Sequence, residues 1–375
     1  MTLNERVDFL ISEKIKNNQY RSLFVAPNIN EMIDFSHNDY LLLSKNKEVI
    51  ENGMFFIQKY GSGGQSSRSL GVCEIYTKLE DCIAKCKKKE NSITFSSGYI
   101  ANSSSIKAIL DLYKDDEIEI FSDKLNHFSI LQGIALSGKR QTRYKNIDLN
   151  HLEILLKKST KKHKIVITES VFSMDGTIVN IDNLIELKRK YNFILYLDEA
   201  HSFGLYGKNG YGISEKYADE IEFLMGTCSK AVGSQGGYLA SSKKIHDYLI
   251  NFASGFIFST APNPSSIGVS LKAIEFIPTL HNERVKLFEN ADYLRSFFTN
   301  AQTCNSSANI IPILIKDENL TMKCKNDLFE NGIMAAAVRY PAVPFGLSRI
   351  RVSLNISHTK NDIDKLVNIT KRYVR

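Results

Sequence analysis

No stretch of the 375 residues is apolar for long enough to cross a bilayer as a helix, and the segment from Met1 to Leu10 carries acids where a secretory leader needs a basic and then an apolar run. Both absences point to the cytoplasm. Cysteine is sparse: Cys73, Cys82, Cys86, Cys228, Cys304 and Cys324 form no Cys-x-x-Cys pair, which argues for reduced thiols and against a disulfide framework. Cys82 and Cys86 share a helix face without further clustered ligands, so packing suits them better than zinc. Internal repeats and low-complexity segments are missing as well. Charge is not of one sign, since 48 Lys and Arg stand against 41 Asp and Glu. The lysine runs at 85–89 and 157–162 read as solvated helix faces or loops, and nucleic-acid binding is not indicated.

What is there is a globular composition, 43% hydrophobic and 24% charged, in a chain too long for one ordinary core. A large domain with a smaller partner is expected. Residues 1 to about 45 read as a helical arm, with Val7, Leu10, Ile11 and Ile15 near helical spacing, followed by a short extended segment. From about 46 to 275, strand-like runs alternate with helical stretches, at Ile93–Phe95, Ile118–Phe121, Ile165–Thr168, Phe193–Leu197, Phe223–Met225 and Tyr238–Ala240. Such alternation predicts an α/β domain, a largely parallel sheet covered by helices on both faces. From about 276 to 375 a smaller α+β domain is expected, with strands at Ile311–Ile315 and Ile350–Leu354 and a closing helix over Asp362–Tyr373.

Ligands of parallel sheets gather at the carboxyl ends of the strands, and Ser97, His127, Ser173, Asp198 and Lys230 each closely follow a predicted strand. One rim therefore collects all five. Lys230, within Gly226-Thr227-Cys228-Ser229-Lys230-Ala231, can form an imine with an aldehyde cofactor once a nearby cation and restricted solvation lower its amine pKa. Asp198, which follows the run Phe193–Leu197, can hold a pyridine nitrogen protonated, and His201 can meet the phenolic oxygen of the same ring. Singly, each has a plainer explanation: a solvated lysine, a helix-capping aspartate, a satisfied polar histidine. Their joint occurrence in this order points to pyridoxal phosphate. Gly98 and Tyr99, between a strand and a helical stretch, suit a phosphate that needs close backbone approach, though a tight turn would use the same glycine.

Further segments carry a family resemblance: Ser36-His37-Asn38-Asp39-Tyr40-Leu41, Gly61-Ser62-Gly63-Gly64, Ser97-Gly98-Tyr99-Ile100-Ala101-Asn102, Asp123-Lys124-Leu125-Asn126-His127, Glu169-Ser170-Val171-Phe172-Ser173-Met174-Asp175-Gly176 and Ser229-Lys230-Ala231-Val232-Gly233-Ser234-Gln235-Gly236-Gly237. Together they resemble the α-oxoamine synthases, fold-type I pyridoxal-phosphate enzymes, from about Arg21 to the Asp362 region. The resemblance implies a mostly parallel seven-stranded sheet with flanking helices and a small C-terminal α+β domain. It implies a phosphate held by the Gly98 and Tyr99 amides and the Thr227 hydroxyl, His127 stacked on the ring and touching the amino-acid substrate, and Ser173 on the cofactor. Gly61–Gly64 resembles a loop near the dimer interface. Thr260 resembles a residue reaching the neighbouring subunit's phosphate, in a homodimer with shared active sites; a helix cap beside a proline turn competes with it. Arg351 is expected on the substrate carboxylate with Asn38 assisting, and Arg349 in a surface ion pair. Arg21 matches an arginine of the acyl-substrate site, with a solvated helix arginine as the alternative.

The implied reaction is decarboxylative carbon–carbon bond formation between an amino acid and an acyl thioester, with Lys230 as base on the α-hydrogen. Within the family, the compact length, Asn38-Asp39-Tyr40 and the segment Val338–Pro344 resemble the branch that joins L-alanine to pimeloyl-CoA or pimeloyl-acyl carrier protein in biotin biosynthesis. A net charge of +7 would steer such an anionic donor. Ala342, Tyr76 and Phe128 depart from that branch, which has a threonine, a histidine and a small residue there. Members that use glycine or serine share the machinery, as do the quorum-signal aminoketone synthases. Outside the family's activity stand a catalytically inert partner subunit and an aminotransferase.

Overall fold

The computed structural model describes residues 1–17, 19–21, 23, 31–64, 66–71 and 73–374. Of the extended segment expected after the first helix, Ser22 and residues 24–30 lie outside the described residues. The chain divides into two compact units, one of residues 38–173 and 178–285, the other of residues 1–37, 174–177 and 286–375. In chain order the strands are β1 (Ile33–Asp34), β2 (Asn91–Phe95), β3 (Ile118–Asp123), β4 (Gln141–Tyr144), β5 (His163–Glu169) and β6 (Ile194–Asp198). They continue with β7 (Phe223–Thr227), β8 (Gly237–Ser241), β9 (Ile310–Lys316), β10 (Ile333–Met334), β11 (Ala336–Val338) and β12 (Ser348–Ser353). Among the described residues no helix is long and apolar enough to cross a membrane.

The unit centred on residues 38–285 is built on a seven-stranded sheet in the order β2-β8-β7-β6-β5-β3-β4. All neighbours from β7 to β4 pair in parallel, whereas β8 opposes both β7 and β2. The interior strands read as near-continuous apolar runs because both faces are covered: Leu195, Tyr196 and Leu197 of β6 are fully buried. The sheet was expected; β4 was not. Its sequence Gln-Thr-Arg-Tyr buries only Tyr144, as suits an edge strand half open to water. The lysine run at 85–89 corrects another expectation. It closes the helix Ile75–Cys86, and there Lys87 is 1% exposed, with Nζ 2.6 Å from the buried Glu199 Oε2.

The other unit pairs β1 with β10 in parallel and stacks β11-β12-β9 as an antiparallel sheet. Its first helix, Leu3–Lys16, starts at a Thr2/Glu5 capping box, and its last, Lys360–Thr370, at a Thr359/Asp362 one. His358, one residue before that cap, is buried and stacks on Phe35 at 4.1 Å. Its Nδ1 accepts the Asn355 amide (2.9 Å) while Nε2 lies 3.0 Å from the Asp34 carbonyl, so the ring sits neutral with its proton on Nε2. Burial pulls its pKa down to about 4, against the carbonyl of Asp34. The unfolded chain therefore takes up this proton first, from about pH 6.5. Stability from the neutral ring is complete above that pH and lost as pH falls through 4, a difference of about 3 kcal/mol. The melting temperature should drop between pH 6.5 and 4, and His358→Gln should flatten that slope; an unchanged slope would refute the assignment.

Candidate active site

Five strand ends converge on one rim of the seven-stranded sheet. Glu169, Asp198 and Thr227 are the last residues of β5, β6 and β7, while Ser97 and His127 follow β2 and β3. A cavity of about 240 Å³ opens there, lined by these five together with Gly98, Asn102, His201 and Lys230. Interior strands leave room for charge only where they stop, which is why the apolar β6 run delivers its carboxylate at the last position.

Asp198 is buried, and both its oxygens are held: Oδ1 accepts the Ala200 amide (2.8 Å) and Oδ2 accepts Asn102 Nδ2 (2.7 Å). His201 Nδ1 lies 2.8 Å from the Tyr40 hydroxyl, which in turn lies 3.1 Å from Asn38 Oδ1. Asn38 thus reaches the site through Tyr40. His127 caps the helix Phe128–Leu136, and its backbone amide donates to Glu169 Oε1. Burial lowers the His127 pKa against the pull of Asp198, and the charge of Lys230 lowers it further. The Glu169 carboxyl is pushed well above the ordinary range by burial and then by the nearby Asp198 charge.

Opposite the carboxylates, the helix Gly98–Leu110 begins with its side-chain cap Ser97 accepting from the Ile100 amide (3.2 Å). The backbone is crowded here: a Cβ on Gly98 would meet Thr227 Oγ1 at 3.3 Å, and a Cβ on Gly237 would fall 2.6 Å from the Gly98 Cα. The Thr227 hydroxyl donates to the Gly236 carbonyl (2.7 Å) and sits 2.8 Å from Ser229 Oγ, an oxygen the sequence analysis did not single out. Backbone amides at a helix start, flanked by two hydroxyls, suit a phosphate.

Of the remaining expected residues, Ser173, Thr260 and Asn38 are not among those lining the cavity. Thr260 is exposed, beside Ala261, whose carbonyl approaches Gly64 so closely that a Cβ on that glycine would fall 2.1 Å away. Arg21 and Arg351 belong to the other unit. Arg21 is exposed and lines a cavity of about 580 Å³ with Met174, Lys325, Arg339, Tyr340 and Ala342. Arg351 is buried on β12, with Nη1 2.7 Å from Ser353 Oγ. Arg349 does make an ion pair, with Asp175, but it is 2% exposed and also donates to the Met174 carbonyl (3.2 Å), so the arginine end of the pair is buried and not on the surface. Of the departures, Tyr76 is a core residue donating to the Pro262 carbonyl, while Phe128 is exposed. Asn102, Ser129, Glu169 and Ser229 complete the pocket without having been singled out.

The donor set fits pyridoxal phosphate. A buried carboxylate matches the pyridinium, a lysine amine the aldehyde, neutral imidazole the ring, and a glycine-opened helix start the phosphate. Residues 30–369 match the family model of aminotransferase class I and II. A Magnetococcus marinus protein provisionally named 8-amino-7-oxononanoate synthase is 38% identical over 351 residues, covering 92% of this chain and 89% of that one. One of the same provisional name from Bacillus thuringiensis subsp. konkukian is 39% identical over 373 residues, covering 94% and 93%. Among solved structures, the 8-amino-7-oxononanoate synthase of Francisella tularensis superposes with a TM-score of 0.77 at 28% identity, over 92% of this chain and 98% of that one. A serine palmitoyltransferase of S. paucimobilis, bound to a pyridoxal-phosphate adduct of myriocin, superposes at 0.89 and 25% identity, over 100% and 98%. This chain therefore belongs to the α-oxoamine synthases of the aminotransferase class I and II family, pyridoxal-phosphate-dependent enzymes of fold type I.

Proposed function

We propose that this enzyme joins L-alanine to a pimeloyl thioester, releasing carbon dioxide and free thiol and producing 8-amino-7-oxononanoate, in the cytoplasm. The observation that carries this reading is 38 and 39% identity, over more than nine-tenths of the chain, to relatives provisionally named for that product. Bound pyridoxal phosphate supplies an electron sink for the amino acid's α-carbon. Lys230 attaches the cofactor, takes the proton from the alanine α-carbon and returns one after carbon dioxide has left. Asp198 keeps the ring nitrogen protonated, His127 covers the ring face, and His201 with Tyr40 meets the ring oxygen. Gly98, Tyr99, Thr227 and Ser229 hold the phosphate, and Ser173 supports the cofactor. Arg351, assisted by Asn38, binds the alanine carboxylate.

The acyl donor, pimeloyl-CoA or pimeloyl-acyl carrier protein, is assigned to the cavity bearing Arg21. Its charged lining residues Arg21, Lys325 and Arg339 are all cations, which suits a phosphorylated carrier. A homodimer completes the site, Thr260 of each subunit reaching the other's cofactor phosphate. A second reading, serine with a long-chain acyl thioester, draws on the serine palmitoyltransferase superposition at 0.89. Product mass separates them. Incubation of the loaded enzyme with each pimeloyl donor and alanine, glycine or serine should give an aminoketone with alanine alone. An aminoketone only with serine and a palmitoyl donor, or only with glycine, would move the substrate within the family. Amino-group exchange with a 2-oxo acid and no carbon dioxide would make it an aminotransferase, and no product from any pairing would favour an inert partner subunit.

A further inference from the structure

We propose that Asn102 and Ser129 are positioning residues that connect Asp198 to His127 and fix the His127 imidazole with its proton on Nε2. The inference rests on the cofactor pocket proposed above for its catalytic consequence, and on hydrogen-bond geometry alone for the tautomer.

Asn102 lies in the first turns of the helix Gly98–Leu110, fully enclosed, with three partners drawn from two other elements, β6 and the helix Phe128–Leu136. Its Nδ2 donates to Asp198 Oδ2 (2.7 Å) and to Ser129 Oγ (3.0 Å), and its Oδ1 accepts from the Tyr196 hydroxyl (2.9 Å). The orientation of this amide follows from chemistry. Asp198 offers only lone pairs when ionised, so the group facing it must be the NH₂. Both amide hydrogens and the carbonyl are then engaged, and the side chain has one arrangement.

The consequence passes to Ser129, which is 1% exposed. Its hydroxyl oxygen takes a hydrogen from Asn102, which leaves its own hydrogen for His127 Nδ1 at 2.7 Å. The Ser129 backbone amide donates to the same nitrogen (3.2 Å). Two donors converge on His127 Nδ1, so that nitrogen carries no proton and the neutral ring carries it on Nε2. A single amide therefore orients the acid expected at the cofactor nitrogen and, through one hydroxyl, the imidazole expected on the cofactor face. Buried chains of this kind hold both ends in one geometry because every member would be left unpaired by a shift.

The test is nitrogen NMR of ¹⁵N-histidine-labelled protein, with and without pyridoxal phosphate, the His127 signals being identified by their loss in His127→Gln. The wild type should show an unprotonated Nδ1 and a protonated Nε2 in both forms. In Ser129→Ala the Nδ1 signal should move toward the average of two tautomers, and kcat should fall about tenfold with little change in KM for the amino acid. Ser129→Thr, which keeps the hydroxyl, should restore both. Asn102→Asp, which cannot donate to either neighbour, should shift the pH midpoint of the bound cofactor's absorption change by roughly half a unit or more. A protonated Nδ1 in the wild type, or a wild-type His127 spectrum in Ser129→Ala, overturns the proposal even if Asn102→Asp does not fold. Protein that shows the expected tautomer yet binds no pyridoxal phosphate would overturn the cofactor-pocket assignment and leave the connection standing.

Discussion

Lys230→Ala should lower turnover by about 10³-fold or more, some 4 kcal/mol of barrier, without unfolding the protein. Lys230 is the only amine among the residues lining the rim cavity, and no neighbouring side chain there can take over both attachment of an aldehyde and proton transfer at carbon. Its surroundings explain its fitness. Lys230 lies close enough to Glu169 to pull its carboxyl pKa down, and close enough to His127 to lower that one too. Removing the cation has a sign that can be checked without turnover: His127 should titrate at higher pH in the variant, because a positive charge that disfavoured its protonation is gone. Borohydride reduction followed by peptide mass analysis gives a second check. The wild type should retain the cofactor's mass on the peptide containing Lys230, and the variant on none. Turnover like the wild type's, or retention on another lysine, would remove the central assignment.

How much of this was legible beforehand depended on whether a residue's partners were near it in sequence. Asp198 and Lys230 could be read because each ends or follows a strand whose apolar run is unmistakable, and strand ends in a parallel sheet have a fixed side. His127 and Gly98 came with the same logic. Asn102 could not be read, since it sits among Ala101, Ser103 and Ser104 in an ordinary-looking helix start and its partners Ser129 and Asp198 are 27 and 96 residues away. It ends a segment of the family resemblance, but nothing local marks its partners. β4 failed for the opposite reason: its pattern is polar because an edge strand is half wet, and a polar four-residue run is indistinguishable from a loop. Arg349 was placed correctly in an ion pair but on the wrong side of the surface, because its partner Asp175 comes from 174 positions earlier in the chain.

Lys87 is another case of that distance effect, its partner lying 112 positions away, and it supports the prediction with the largest expected stability change. In a run of lysines it should be solvated, yet its Nζ reaches Glu199, donates to the Tyr211 carbonyl and sits 4.6 Å from the centre of the Phe203 ring. Glu199 is completely buried and takes further hydrogen bonds from the Ser214 amide (2.9 Å), the Ser214 hydroxyl (2.6 Å) and the Ser202 hydroxyl (3.2 Å). Asp198 precedes it in the chain and His201 follows two residues later. Lys87→Met should therefore cost about 3–5 kcal/mol in urea or thermal unfolding, the penalty for leaving a carboxylate in the interior without its cation. Desolvating a well-formed pair roughly cancels its attraction, so Lys87→Met with Glu199→Gln should recover much of the loss. That recovery distinguishes an unpaired charge from a simple loss of packing, which the double variant would not repair. Because the turn held by Glu199 carries His201, the single variant should also bind pyridoxal phosphate more weakly, and the double variant should regain part of that affinity. A Lys87→Met protein as stable as the wild type would mean that water reaches Glu199, and that the pair does not hold the turn.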